Sequence, residues 1–201
     1  MFWDYASSLY DVVETVYNKR VYRGVGEFVA DLIDADDVVL ECACGTGAIS
    51  LPMAMKCKKL IATDFSVGML KQTAKKCRNL KNVLVRRANI MDIKCKDESF
   101  DKVVAGNVIH LLDNPESAIA ELKRVCKNGG KIIIPTYINK ANKSASIAVK
   151  FFDIIGADFK RQFNFASYKQ FFKSIGYGNA EFYVVNGRMA CAVAVITNTN
   201  P

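Results

Sequence analysis

Residues 38–47 read Val-Val-Leu-Glu-Cys-Ala-Cys-Gly-Thr-Gly, an apolar run that meets an acid and then breaks into small residues. A strand buried on both faces reads as a continuous Val/Leu run of this kind, not as an alternation. Ala43, Gly45 and Gly47 supply a tight turn, and Ala48, Ile49, Ser50 and Leu51 open a helix. Strand, turn and helix in that order form the first unit of a nucleotide-binding α/β fold. Backbone without Cβ atoms lets a ligand lie close. The helix N-terminus is expected to add unpaired N–H groups and a positive dipole end.

Two ligand classes suit such a turn. Dinucleotide sites want G-x-G-x-x-G/A; those positions hold Ala43, Gly45 and Ala48, so the first glycine is missing. The other pattern places an acid ahead, E/D-x-G-x-G-x-G, and is met by Glu41, Ala43, Gly45 and Gly47. A carboxylate there repels a diphosphate and suits an ammonium group. A second strand, 60–64, ends in Asp64, 17 residues after Gly47. That spacing fits an acid that accepts from two vicinal ribose hydroxyls. Phe65 follows and offers a flat apolar face.

Further strands are expected at 82–87, 100–106 and 131–135. Helices are expected at 18–33, 48–57, 67–78 and 115–127, the last stopped by Asn128-Gly129-Gly130. Ser66 and Asn114 are placed to cap two of them. Ser167 to Gln170 reads as a capping box that opens another helix. Residues 180–196 read as a hairpin whose Asn186-Gly187 signals a two-residue type I′ turn. An amphipathic helix rich in aromatics (Phe2, Trp3, Tyr5, Tyr10) precedes all of this. Residues 136–162 carry the weakest pattern, with a helix expected over 145–159. At 201 residues the chain reads as one domain, 1–201, with a cap at 1–34 and a core at 35–201.

Glu41-x-Ala43-x-Gly45-x-Gly47, Asp64, Asp97-Glu98-Ser99-Phe100-Asp101 and LKRVCKNGGKIIIP together resemble the class I S-adenosylmethionine-dependent methyltransferases. The likeness runs over about 38–196, and FWDYASSLYD resembles openings common in that family. This chain departs from the pattern at Ala43 (usually Gly), Asn89 (usually Asp) and Asn128 (usually Pro). The resemblance implies a doubly wound, mostly parallel seven-stranded sheet of order 3-2-1-4-5-7-6, with a C-terminal antiparallel hairpin and an N-terminal helical lid. It implies S-adenosylmethionine as cofactor, held by Tyr10, Glu41, Ala43, Cys44, Gly45 and Gly47 around its methionine end and glycine turn. Asp64, Phe65, Met69, Asn89, Ile90 and Asn107 would hold its nucleoside and the transfer site, and 136–162 would vary with substrate. His110 is the single histidine and the candidate base if the acceptor must lose a proton. A pocket-lining or exposed histidine at a helix start is the alternative.

The net charge of +8 permits a nucleic acid or an acidic substrate but demands neither. Asn107-Val108-Ile109-His110 stands where base-modifying relatives carry D/N-P-P-Y/F, so nucleic acid is disfavoured. A small, partly apolar acceptor suits the aromatic cap better. Seven scattered cysteines form no disulfide framework, and Cys42-x-Cys44 has no second ligand pair, so no metal is expected. With no signal segment and no apolar run of membrane length, a cytoplasmic protein is expected. An RNA or protein methyltransferase, an NAD-dependent oxidoreductase and a non-catalytic cofactor-binding protein remain the alternatives. Nothing in the sequence speaks to oligomeric state.

Overall fold

The computed structural model describes residues 18–139, 160–187 and 189–199. The expected aromatic helix with Tyr10, and the helix expected at 145–159, lie outside them. In chain order the elements are α1 (Lys19–Ala30), β1 (Val38–Cys42), α2 (Ser50–Ala54), β2 (Lys59–Asp64), α3 (Val67–Lys76) and β3 (Val83–Arg87). Then follow β4 (Phe100–Ala105), a 3₁₀ turn (Ile109–Leu111), α4 (Pro115–Val125), β5 (Cys126–Ile138), α5 (Phe165–Ser174), β6 (Glu181–Val185) and β7 (Ala190–Thr197). The strands form one sheet of order β3-β2-β1-β4-β5-β7-β6. β1 pairs in parallel with β2 and β4, while β7 runs antiparallel between β5 and β6. The fold is the expected one.

Each residue of the opening run now has a face. Leu40 and Cys42 join the core under α4 and α5, beside Ile119, Leu122, Tyr168 and Phe172. Val39 joins the opposite core with Val21 and Val25 of α1 and Met53 of α2. Because side chains alternate along a strand, Glu41 shares the face of Val39. Both faces are covered, so alternation is hidden in the sequence although it is present in the structure. Burying a side chain such as Leu40 contributes about 1.5–3 kcal/mol.

Of the expected 1–34 cap, the described residues begin at Asn18. Val21, Val25 and Val29 of α1 are at most 3% exposed and pack in the core beside α2 and β7. Asn18 fastens the start of α1 by exchanging hydrogen bonds with the backbone N–H and C=O of Met189. Ser66 caps α3 through the Met69 N–H, and Asn114 caps α4 through the Ser117 N–H, as expected.

Four boundaries differ from expectation. α2 is shorter than 48–57, because the glycine turn continues to Ile49 before the helix begins. α4 ends at Val125, and Asn128-Gly129-Gly130 lies within β5. Gly129 takes φ 77° there, at a register irregularity against β4, and so bends a strand instead of ending a helix. α5 is capped by Asn164, not Ser167: the Asn164 side chain accepts from the Ser167 N–H, and the Ser167 hydroxyl accepts from the Asn164 N–H. The capping box is real but begins three residues earlier than the Ser-x-x-Gln pattern places it. In the hairpin Val185 pairs with Cys191, so the link is longer than a two-residue turn.

Candidate active site

Chain order reverses between β1 and β4, and the strand ends open there. Ligands of doubly wound sheets bind at such a switch point. A cavity of about 390 Å³ lies at it and gathers Ala43, Gly45, Asp64 and Phe65. Met69, Asn89, Ile90 and Asn107 complete the sequence-predicted part of its wall, with Val108, Leu111 and Leu112 beyond β4. A smaller cavity of about 60 Å³ shares Ala43, Gly45, Gly106 and Asn107 with it and reaches Glu41, Cys44, Thr46 and Tyr22.

The turn between β1 and α2 depends on left-handed backbone. Ala43, Gly45 and Gly47 take φ 55°, 54° and 82°. Ala43 replaces the usual glycine yet keeps the glycine conformation, at a cost of about 1–2 kcal/mol. Gly47 lines neither cavity. A Cβ on it would stand 3.1 Å from Thr73 Oγ1, so it serves the packing of the turn on α3.

Asp64 is engaged twice with backbone. Its Oδ2 accepts the Gly45 N–H at 2.9 Å and its Oδ1 the Ser66 N–H at 2.8 Å. Thr73 Oγ1 donates to the Gly45 carbonyl at 2.8 Å, so Gly45 is held from both sides. A carboxylate is an acceptor only, and so is chemically suited to hydroxyl donors.

Glu41 is 1% exposed, and the Ser50 hydroxyl donates to its Oε2 at 2.5 Å. Burial pushes its pKa up to about 8, against the Ser50 hydrogen bond and with help from the Asp64 charge. At neutral pH the carboxyl is therefore mostly protonated, and a cationic ligand group beside it would restore the carboxylate. The fit to a ligand ammonium group is good.

Asn89 lines the cavity, but its Oδ1 accepts the Met91 N–H at 3.0 Å and so shapes its own turn. Asn107, at φ 53°, donates its N–H to Pro135 O and accepts the Tyr137 N–H on Oδ1 at 3.0 Å. It joins the end of β4 to β5 as well as forming wall. His110 is 5% exposed in the 3₁₀ turn and is not among the cavity's lining residues, although Leu111 and Leu112 are. Burial pulls its pKa down to about 4. Cys44 is buried beside the turn, and burial raises its thiol well above the ordinary range.

Sequence reasoning did not single out Tyr22, Thr46, Ser50 and Thr73. Ser50 carried a signal, as the one polar side chain in Ala-Ile-Ser-Leu-Pro-Met-Ala. Tyr22 carried none, since its place depends on how α1 docks.

Residues 40–134 match the family described as "Methyltransferase domain". A demethylmenaquinone methyltransferase of Clavibacter sepedonicus is 33% identical over 135 residues, 66% of this chain and 55% of that protein. A phosphatidylethanolamine N-methyltransferase of Cereibacter sphaeroides is 34% identical over 99 residues, 48% of each. The chain thus spans about half the length of these curated relatives. A solved SAM-dependent methyltransferase from Thermotoga maritima superposes with TM-score 0.75 over 98% of this chain and 99% of that one, at 20% identity, and shares the fold. The acid-led glycine turn, the acid Asp64 at the end of β2 and the strand order agree with this match: residues 40–134 carry a methyltransferase domain of the S-adenosylmethionine-dependent class.

Proposed function

We propose that the protein transfers a methyl group from S-adenosylmethionine to a small, predominantly apolar acceptor. One observation carries this reading: two adjoining cavities at the switch point, the larger walled by Asp64 and the smaller by Glu41. A nucleoside with a zwitterionic tail has the matching two-part chemistry.

When bound, the cofactor supplies a sulfonium methyl whose thioether is already a good leaving group. The protein's work is to hold, orient and dry the reactants. Asp64 accepts from the ribose hydroxyls while it stays tied to Gly45. Phe65, Met69 and Ile90 give the nucleoside base an apolar enclosure. Glu41 takes the ammonium of the tail and releases its proton as it does so. Val108, Leu111 and Leu112 exclude water beyond β4, where an acceptor must reach within about 3 Å of the methyl. His110 is buried, does not line that cavity and is a weak base, so the proposal carries no proton transfer through it.

The apolar wall supports a small apolar acceptor, and so do relatives named for demethylmenaquinone and phosphatidylethanolamine. None of the seven cysteines is joined in a disulfide, which suits a reducing cytoplasm. The test is a screen of amines, thiols, acids, phenols and quinols for release of S-adenosylhomocysteine. Turnover with an apolar phenol, quinol or amine is expected. Thermal stabilisation by NAD, with none by S-adenosylmethionine, would overturn the reading.

A further inference from the structure

The zwitterionic tail of the cofactor needs a partner for its carboxylate as well as for its ammonium. In this chain the helix after the glycine turn is a poor source. α2 has only five residues, so its dipole is small. A cation stands nearby instead. Lys76, at the end of α3, places its Nζ 3.2 Å from Tyr22 Oη and 3.4 Å from Thr46 Oγ1. Those two hydroxyls lie 3.2 Å apart, and both residues line the smaller cavity, the one that reaches Glu41. Lys76 also lies 5.8 Å from the centre of the Tyr22 ring, which steadies the ammonium over that face. Three elements meet there: Tyr22 from α1, Thr46 from the turn and Lys76 from α3. Tyr22 and Thr46 line the small cavity that Glu41 of β1 also lines, and Lys76 stands against their hydroxyls.

We propose that Lys76 is the counter-cation for the carboxylate of the cofactor's methionine tail, with the Tyr22 and Thr46 hydroxyls beside it. The assignment rests on reading the paired cavities as the cofactor site. It gives the tail one protein charge for each of its own: Glu41 for the ammonium and Lys76 for the carboxylate.

Three ligands separate the roles by calorimetry: S-adenosylhomocysteine, its decarboxylated form, which keeps the ammonium, and 5′-methylthioadenosine, which has no tail. Lys76→Met keeps the aliphatic stem and removes the charge; Lys76→Arg keeps the charge. Lys76→Met should weaken S-adenosylhomocysteine binding by about tenfold or more, and leave the other two ligands at wild-type affinity. Lys76→Arg should recover most of the loss. A melting curve shows whether each variant is folded. Equal weakening of all three ligands, or unchanged binding of S-adenosylhomocysteine, would overturn the assignment. If the wild-type protein binds none of the three, the cofactor reading itself fails, and this assignment with it.

Discussion

The carboxylate of Asp64, at the end of β2, accepts the backbone N–H of Gly45, in the turn after β1, at 2.9 Å. The acid expected to read the ribose therefore also pins the turn that carries the ligand. Asp64→Ala should cost about 1–3 kcal/mol of stability, because the Gly45 and Ser66 N–H groups lose their acceptor. Binding of S-adenosylhomocysteine should fall with it. Asp64→Asn keeps an oxygen acceptor and should recover more stability than affinity. Denaturant titration and calorimetry on both variants check this; equal stability in wild type and Asp64→Ala would remove the pinning role.

Ala43→Gly should stabilise the protein by up to about 1 kcal/mol. The left-handed conformation at φ 55° is relieved, and the gain exceeds the extra freedom of glycine in the unfolded chain. A urea midpoint no higher than wild type would mean that the methyl of Ala43 contributes packing of equal worth.

Glu41 and His110, both buried near the site, set opposite limits on stability. The pKa of Glu41 is raised in the fold, from 4.5 to about 8, so the folded state holds the extra proton. Its contribution is full below pH 4.5 and is lost as pH rises through about 8. The pKa of His110 is lowered, from 6.5 to about 4, so its contribution is full above 6.5 and is lost as pH falls through about 4. Melting temperature measured against pH should fall on both sides. Glu41→Gln should flatten the alkaline side alone, and His110→Gln the acid side alone.

Glu41→Gln should also weaken S-adenosylhomocysteine binding while keeping the hydrogen bond from Ser50. Calorimetry at pH 7 in buffers of different ionisation enthalpy should show proton release by the wild type and none by the variant. A large loss of melting temperature with unchanged affinity would make Glu41 a purely structural acid.

His110→Gln should retain most of the transfer rate, since His110 is buried and is not among the residues that line the larger cavity. A collapse of kcat with KM and melting temperature unchanged would restore His110 as a base.

The sequence by itself determined the sheet and the floor of the site. Its signals there are local and redundant: an apolar run long enough for one strand, a small-residue turn, the acids Glu41 in β1 and Asp64 at the end of β2, and caps at Ser66 and Asn114. Where two local signals competed, it misled. Asn128-Gly129-Gly130 resembles a helix stop, yet it bulges past β4 within β5, and the Gly129 N–H and Gly130 carbonyl bond to the backbone of Asn198, just after β7. Asn164 and Ser167 both suit a cap, and only the reciprocal bonds between them show which begins α5. The rest was decided by contacts between elements far apart in the chain, which no spacing records. The docking of α1 brought Tyr22 to Thr46 and the end of α3 brought Lys76 to both. Burial made a neutral acid of Glu41 and a weak base of His110. A pKa depends on the water removed from around a group, and only the packed fold removes it.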